Sequence, residues 1–368
     1  MKNTHEYNES VLHQERVSLI KIAEMAGTPS FVYSKAKLLG QYRALKDALE
    51  GLNFKINYSV KANSNLSILS LLKDEGSGFD IVSAGELGRV LAIGGAPASV
   101  VFSGVGKSTE EIDFALKNNI GCINVESSSE LDRIIGRAEI LSRKARVSIR
   151  VNPDVDADTH PYISTGLKES KFGVPISQSL SLFQAASQSE HVSLEGVDCH
   201  IGSQISSVTP LAQAIKSICK TIDELSKKNI SINHVNVGGG LGIRYKDEAA
   251  LSFREYGQML KDLLGSRNLQ IFTEPGRSIV AESGLLLCRV EFLKKALASG
   301  APSFAIVDAG MNDLIRPSLY GAWHEVMPVE EHTNEDIEIW DIVGPICESG
   351  DFLAKQRELR IREGSLLA

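Results

Sequence analysis

Residues 54–63 read FKINYSVKAN, a short run rich in β-branched and aromatic residues that closes with a lysine and a small polar turn. Seven further apolar runs follow along the chain, separated by stretches with helical periodicity. Strands that alternate with helices are typical of βα units around a parallel sheet. The eight predicted strands are FKINYSV (54–60), FDIVS (79–83), SVVFSG (99–104), GCINVE (121–126), RVSIRVN (146–152), LEGVDCHIG (194–202), HVNVGGG (234–240) and QIFTEPG (270–276).

The intervening segments, such as residues 64–76 and 210–228, have the apolar face of a helix. Eight consecutive βα units without an obvious reversal point predict an α/β fold with a closed (β/α)8 barrel of the TIM type. An open doubly wound sheet is the alternative architecture. In residues 210–228 the apolar face consists of Leu211, Ala214, Ile215, Ile218 and Ile222.

Two parts of the chain fall outside this barrel. Residues 31–33 (FVY) predict a short strand that is followed by a helix. After residue 284 the pattern changes to strand-like runs without long helices: LLLCRVEFL, SFAIVDA and DIEIWDIVGP. We therefore expect a barrel over residues 52–283 and a second, β-rich domain built from both chain ends, residues 1–51 and 284–368.

The composition narrows the possible functions. The 368 residues are 43% hydrophobic and 23% charged, which is ordinary for a globular protein with a sizeable core. A net charge of −7 with scattered basic residues argues against a nucleic-acid partner. The sequence shows neither a signal peptide nor a membrane span, and its five cysteines lack a CxxC pair, so we expect a cytoplasmic protein without a structural metal site. Surface or capping roles are predicted for His160, His191, His234 and His324, which lack ligand-like spacing.

Chemically capable side chains collect at the carboxyl ends of the predicted strands, where barrels of this kind have their active sites. Lys61 directly follows the first strand. An ordinary surface lysine is one explanation. A lysine at the mouth of a barrel is partly desolvated, however, which would lower its pKa and allow it to form a Schiff base. The strand-end groups are Lys61, Asp80, Ser83, Arg150, His200, Ser203, Gly238 to Gly240, Glu274 and Arg277.

Two glycine-rich segments also follow strands. In GGGLG (238–242) the glycines would let backbone N–H groups approach a phosphate closely, and a simple tight turn is the alternative. This segment is not the dinucleotide fingerprint GxGxxG, because position 243 holds Ile243. SGVGKST (103–109) lacks the first glycine of a P-loop, since that position holds Val101, and we predict a strand end and a helix cap there.

Six motifs occur in a fixed order and together resemble the diaminopimelate decarboxylases, which belong to the alanine-racemase-like, fold-type III class of pyridoxal-phosphate enzymes. The resemblance runs from about residue 28 to the end of the chain, and within it residues 150–173 also resemble the family's sequences. The motifs are YSVKAN (58–63), HIGSQ (200–204), GGGLG (238–242), EPGR (274–277), RPSLYGAWH (316–324) and CESGD (347–351).

The resemblance implies pyridoxal 5'-phosphate as the cofactor. In the family the YxxKAN lysine, here Lys61, binds the cofactor covalently, and the histidine of HIGSQ, His200, stacks on its ring. The EPGR glutamate, Glu274, pairs with the ring nitrogen, which strengthens the electron sink and favours decarboxylation. Helix capping is the alternative for Asp80. The remaining residues that are expected to bind the cofactor, several through its phosphate, are Asp80, Arg150, Ser203, Gly238, Gly239, Gly240, Pro275, Gly276 and Arg277.

The resemblance also implies a substrate, meso-2,6-diaminopimelate, which is converted to L-lysine and CO2 by a homodimer with shared active sites. Arg277, Arg316 and Tyr320 are expected to bind substrate carboxylates, for which arginine is suited. Cys347 would donate a proton in the partner's site, and Glu348 would bind the distal amino group. A buried apolar cysteine is the alternative for Cys347. The expected catalytic residues are Lys61, His200, Glu274 and Cys347.

The chain ends in REGSLLA, whereas members of this family continue for several dozen residues and carry a tyrosine near the cofactor in that tail. We therefore expect a truncated sequence. Another decarboxylase of the same class, acting on a related diamino acid or polyamine precursor, is one alternative, and the intact RPSLYGAWH and CESGD motifs argue against it. A non-catalytic pyridoxal-phosphate-binding barrel is the other, and it would have no use for Cys347 and Glu348.

Overall fold

The structure, a computed structural model, describes residues 5–156, 166, 170–298, 300–331 and 335–368. The chain divides into two compact units. One unit comprises Met1–Leu38, Arg244–Glu248 and Glu282–Ala368, and the other comprises Leu39–Ile243 and Ala249–Ala281.

The N-terminal elements belong mainly to the first unit. Their strands β1 to β3 form an antiparallel three-stranded sheet. The predicted strand around residues 31–33 and the helix after it are confirmed as β4 and α2. The elements are β1 (His5–Asn8), β2 (Val11–Gln14), β3 (Val17–Ser18), α1 (Leu19–Ala26), β4 (Ser30–Tyr33) and α2 (Lys35–Ala48).

The second unit contains all eight predicted strands, with helices between them. Its elements are β5 (Phe54–Ser59), α3 (Leu66–Asp74), β6 (Gly78–Ile81), α4 (Ala84–Ala92), β7 (Val100–Phe102), α5 (Thr109–Lys117), β8 (Cys122–Val125), α6 (Ser128–Ile140), β9 (Ala145–Asn152), β10 (Val174–Pro175), α7 (Ile176–Gln188), β11 (Val192–Asp198), α8 (Val208–Lys227), β12 (His234–Asn236), α9 (Phe253–Leu264), β13 (Gln270–Thr273) and α10 (Arg277–Val280).

These strands close into a parallel barrel. The order β5-β6-β7-β8-β9-β11-β12-β13 ends where β13 pairs with β5, so the (β/α)8 prediction is confirmed and the open sheet is wrong. The predicted face of residues 210–228 is buried in α8, which packs its apolar stripe inward. Closure matters for function because it brings the carboxyl ends of all eight strands together at one end of the barrel.

Serines fix where several barrel helices begin. The side chains of Ser83, Ser108 and Ser127 each accept a hydrogen bond from the backbone N–H three residues later. Ser108 also forms a capping box with Glu111, and this confirms the prediction that SGVGKST is a strand end and a helix cap. The caps set the lengths of the loops that carry side chains to the mouth of the barrel.

The remaining elements complete the first unit. Strand β14 is its centre: β4 and β18 pair with it antiparallel, and β15, β16 and β17 extend the sheet. Leu12 and Leu19 from the N-terminus share a buried cluster with Leu287 and Leu366, so the β-rich domain is built from both ends of the chain. The elements are β14 (Gly284–Lys294), β15 (Ser303–Val307), α11 (Arg316–Tyr320), β16 (Glu338–Val343), β17 (Phe352–Leu359) and β18 (Leu366–Leu367).

Among the helices of the described residues, none combines the length and the apolar character that a membrane crossing requires.

Candidate active site

Lys61 lies in the short turn that follows β5, at the carboxyl end of the barrel. Its Nζ lies 3.3 Å from Oδ2 of Asp80, and its side chain is 51% exposed. The Asp80 carboxylate raises the pKa of Lys61 more strongly than burial lowers it. The expected fall in the pKa of Lys61 through desolvation is therefore wrong.

Asp80 is fully buried on β6, in Cα register with Ser59 on β5. Its Oδ2 accepts hydrogen bonds from the Ser59 hydroxyl at 2.8 Å and from Lys61. The alternative assignment of Asp80 as a helix cap is wrong, because Ser83 caps α4. Asp80 instead holds the lysine at a fixed place on the barrel rim.

Glu274 follows β13 and is almost fully buried. Oε1 of Glu274 accepts a hydrogen bond from the Asn236 side chain, and its backbone N–H donates to the Gly238 carbonyl at 2.7 Å. Burial, reinforced by the nearby charges of Asp80 and Asp198, raises the pKa of Glu274 well above its usual value. The side chain is thus fixed, and its carboxyl group retains a proton easily.

Arg150 is a buried cation on β9. Its guanidinium donates to Oε1 of Glu126 at 2.7 Å and lies 3.7 Å from Asp198. Burial raises the pKa of Asp198, although Arg150 opposes this shift. Among the described residues, Oδ1 of Asp198 is buried without a hydrogen-bond partner.

His200 follows β11 and has the electrostatics of a neutral imidazole. Burial, together with the positive charges of Arg150 and Lys61, lowers the pKa of His200 well below 6.5. Its Nδ1 accepts a hydrogen bond from the Gly239 backbone N–H at 3.2 Å, which assigns the ring proton to Nε2. A neutral ring of this kind can pack against an aromatic ligand without adding charge.

The glycine loop after β12 lies tightly against neighbouring backbone. A Cβ atom on Gly239 would overlap the Glu274 carbonyl, and one on Gly240 would overlap the Gly202 carbonyl. Gly240 also has a φ of +95°, which side-chain-bearing residues rarely adopt. The loop therefore needs glycine, because a side chain at Gly239 or Gly240 would overlap the neighbouring backbone.

The other expected cofactor residues lie near this loop. The Pro275 carbonyl accepts a hydrogen bond from Ser59 N–H at 3.0 Å, and the Arg277 guanidinium approaches Oε1 of Gln204 at 3.4 Å. A Cβ atom on Gly276 would lie 2.9 Å from the Ala62 side chain, beside the active-site lysine. Ser203 lies half-buried in the loop after β11.

The barrel interior is rich in carboxyl groups. Four of them are buried and accompany the cations Lys61 and Arg150. The pKa values of Glu274 and Asp198 are raised, so these groups could share a proton with a basic nitrogen of a ligand, and a glycine loop of this kind is typical of phosphate sites. The residues therefore fit pyridoxal phosphate. The four carboxyl groups are Asp80, Glu126, Asp198 and Glu274.

The first unit holds the residues that were expected to bind substrate. Arg316 and Tyr320 are the first and last residues of α11, where the guanidinium of Arg316 lies 5.3 Å from the Tyr320 ring. Cys347 and Glu348 lie in an exposed loop between β16 and β17, so the alternative of a buried apolar cysteine is wrong. Asp351 anchors this loop, since its carboxylate accepts hydrogen bonds from two backbone N–H groups.

Several polar residues that support the site were not predicted. Ser59 and Asn236 are the last residues of β5 and β12, where their alternation with buried apolar residues could have indicated an inward orientation. Lys107 is buried, and its ammonium donates to two carbonyls and to Glu130 at 2.8 Å. Glu130 in turn accepts from the backbone N–H of Glu126, the partner of Arg150.

His234 contradicts the predicted surface or capping role. It is buried at the amino end of β12 and stacks on Phe272, with ring centroids 4.2 Å apart. His160 and much of the motif at residues 150–173 lie outside the described residues. No group of three or more possible metal-ligating side chains occurs in the described part of the chain.

A barrel whose lysine, buried glutamate and glycine loop meet at one rim matches the architecture of pyridoxal-dependent decarboxylases. Residues 35–281 match the family model described as the pyridoxal binding domain of these enzymes. The diaminopimelate decarboxylase of Pseudomonas aeruginosa is 50% identical over 366 residues, which cover 100% of this chain and 87% of the relative. The chain belongs to the diaminopimelate decarboxylase family.

Solved structures agree with this assignment. The crystal structure of diaminopimelate decarboxylase from Helicobacter pylori complexed with L-lysine has a TM-score of 0.90 at 44% identity, covering 95% of this chain and 87% of that one. The enzyme from M. jannaschii in co-complex with L-lysine has a TM-score of 0.91 at 35% identity, covering 99% and 86%. Family and fold are therefore supported along almost the entire chain.

Proposed function

We propose that this chain catalyses the pyridoxal-phosphate-dependent decarboxylation of meso-2,6-diaminopimelate to L-lysine and CO2, the last step of lysine biosynthesis. The observation that carries the proposal is the 50% identity to a diaminopimelate decarboxylase over the whole chain. The L-lysine complexes of related enzymes support the product. The enzyme is a carboxy-lyase.

Different barrel residues would hold different parts of the cofactor. Lys61 would bind it covalently, the neutral ring of His200 would pack against its ring, and Glu274 would pair with its nitrogen. When bound, pyridoxal phosphate supplies an electron sink for the electrons left by the departing CO2. The phosphate and the remaining cofactor contacts are assigned to Asp80, Arg150, Ser203, Gly238, Gly239, Gly240, Pro275, Gly276 and Arg277.

Two carboxyl groups, those of Asp80 and Glu274, control protons in this arrangement. Asp80 keeps Lys61 oriented through the 3.3 Å contact and favours its protonated form. Glu274, which Asn236 orients, retains a proton readily because it is buried beside other carboxyl groups. A proton held between Glu274 and the ring nitrogen would keep that nitrogen cationic, and this charge strengthens the electron sink.

The first unit supplies the substrate contacts. Arg316 and Tyr320, together with Arg277 of the barrel, are assigned to substrate carboxylates, and Glu348 to the distal amino group. Cys347 is assigned as the proton donor in the active site of a partner subunit, which makes the enzyme a homodimer. The exposed loop held by Asp351 supports this role, because a residue that serves a second subunit must be accessible.

A substrate comparison tests the proposed activity. The chain with added pyridoxal phosphate is incubated with meso-diaminopimelate, L-lysine and L-ornithine, and CO2 release is measured for each. We expect turnover of meso-diaminopimelate alone. Release of CO2 mainly from L-lysine or L-ornithine would instead identify a decarboxylase of a related diamino acid.

Mixed dimers test the shared site. Lys61→Ala and Cys347→Ala chains are each expected to have little activity alone, but a mixture regains about a quarter of the parent's activity, because half of the dimers are mixed and contain one intact site. Absence of recovery at every mixing ratio would contradict the shared site.

We also propose a cytoplasmic location, which is supported by the cysteines, all of them free in the structure.

A further inference from the structure

The guanidinium of Arg316 lies over two aromatic rings within the first unit. Its Cζ is 4.9 Å from the centre of the Tyr245 ring and 5.3 Å from that of Tyr320. Tyr320 lies on the same short helix, so its contact is local. Tyr245 is 71 residues earlier in the chain, in the segment Arg244–Glu248 that clusters with this unit.

Tyr245 is itself held in place from two directions. The backbone N–H groups of Tyr245 and Lys246 donate to the two carboxylate oxygens of Glu248, at 3.0 and 2.9 Å. His324 meets the Tyr245 ring edge-on, with centroids 5.3 Å apart and an interplanar angle of 83°. Within residues 244–250, all described, every residue except Tyr245 is exposed, so Tyr245 is the least exposed residue of the segment.

The position of His324 is also fixed. Its carbonyl oxygen accepts a hydrogen bond from the guanidinium of Arg357 at 2.9 Å. Arg357 in turn lies over the Trp323 ring at 4.8 Å. The Tyr245 ring therefore packs against His324, whose own position is fixed, and the guanidinium of Arg316 lies over the Tyr245 ring.

Contact with an aromatic face is a suitable way to orient an arginine that must bind a carboxylate. The cation–π contact uses the flat face of the guanidinium, while the N–H groups that bind a carboxylate bidentately point outward in its plane. An aromatic support therefore restricts the orientation of the side chain without occupying its donors. A carboxylate support would instead occupy those donors and compete with the substrate.

We propose that Tyr245 is a positioning residue that orients the guanidinium of Arg316 for the substrate carboxylate. The inference rests on the proposed function, in which Arg316 binds that carboxylate. The aromatic ring performs this role, and the hydroxyl group is not required.

Binding of L-lysine to the holoenzyme, measured by calorimetry, tests the proposal. Tyr245→Leu is expected to raise the dissociation constant about 3- to 30-fold, the range that corresponds to one cation–π contact. Tyr245→Phe keeps the ring and should restore affinity to within about twofold. Phe292→Leu, a change at an exposed aromatic residue of β14, controls for a general effect on this unit. Parent-like affinity of Tyr245→Leu would overturn the proposal, as would equal losses in Tyr245→Leu and Tyr245→Phe.

A double-mutant cycle on kcat/KM for meso-diaminopimelate shows whether Tyr245 acts through Arg316. In an Arg316→Gln background, Tyr245→Leu should cause no further loss, whereas additive losses would overturn the proposal. Failure of the parent enzyme to release lysine would refute the proposed function. An active parent that is insensitive to Tyr245→Leu would refute this inference alone.

Discussion

The buried histidine at the amino end of β12 leads to a quantitative prediction about pH. His234 is stacked on Phe272, and its Nε2 has no hydrogen-bond partner among the described residues. Burial lowers the pKa of His234 from 6.5 to about 4. The unfolded chain therefore binds this proton more readily than the folded chain, so the free energy of unfolding must fall as the pH drops below 6.5.

The size of the effect follows from the two pKa values. Each pKa unit corresponds to about 1.4 kcal/mol, so the penalty, which is the fall in the free energy of unfolding, is about 3 kcal/mol when it is complete below pH 4. At pH 5, where the folded state is still mainly unprotonated at His234, the penalty is about 2 kcal/mol. At pH 8 it is close to zero. Replacing His234 with Phe or Gln removes this dependence.

Urea denaturation of the parent, His234→Phe and His234→Gln at pH 8 and pH 5 measures the difference. Each substitution changes the free energy of unfolding at pH 8 by its own amount. Between pH 8 and pH 5, however, the free energy of unfolding should fall by about 2 kcal/mol less in both variants than in the parent. Activity should persist, because His234 lies at the end of β12 opposite the glycine loop. Parallel pH dependences in all three proteins would refute the assigned environment of His234.

Three further predictions concern the site and its support. Lys107→Met leaves Glu130 without its cation and should cost about 3–5 kcal/mol in urea denaturation, whereas Lys117→Met, at the end of α5, should cost little. Gly239→Ala places a Cβ on the Glu274 carbonyl and should accelerate loss of the cofactor. The loss is measured by the absorbance of the released pyridoxal phosphate, and release at the parent's rate would contradict the close packing. Asp80→Asn removes the main cause of the raised pKa of Lys61, so the pH profile for cofactor uptake by the apoprotein should move to lower pH.

The fold could be predicted because the features that indicate its strands and helices each lie within a short stretch of sequence. Each barrel strand is a short apolar run, and each following helix has a serine cap or an apolar stripe that the sequence displays directly. The positions of Lys61, Asp80 and Glu274 followed from the rule that barrel active sites lie at the carboxyl ends of strands. Some strand lengths differed, since β7 and β12 have three residues each and are shorter than the runs that predicted them. The short strands β1 to β3 and β10 were not predicted.

The electrostatics of the site were less predictable because they depend on contacts between distant residues. The pKa of Lys61 rises because Asp80, on the next strand, is brought within 3.3 Å by the barrel register. The contact of Tyr245 with Arg316 joins two segments with no shared motif. His234 was misassigned because its spacing from other histidines says nothing about its burial in β12.

The proposed activity and the role of Lys61 are tested together by the yield of products from meso-diaminopimelate. The proteins compared are the parent, Lys61→Ala and Lys55→Ala, each with added pyridoxal phosphate. Lys55 is the matched control, because it lies on β5, the strand that leads to Lys61. We expect one L-lysine for each CO2 from the parent and from Lys55→Ala, and no lysine from Lys61→Ala. Lysine formation by Lys61→Ala at the parent's rate, or none by the parent, would contradict it.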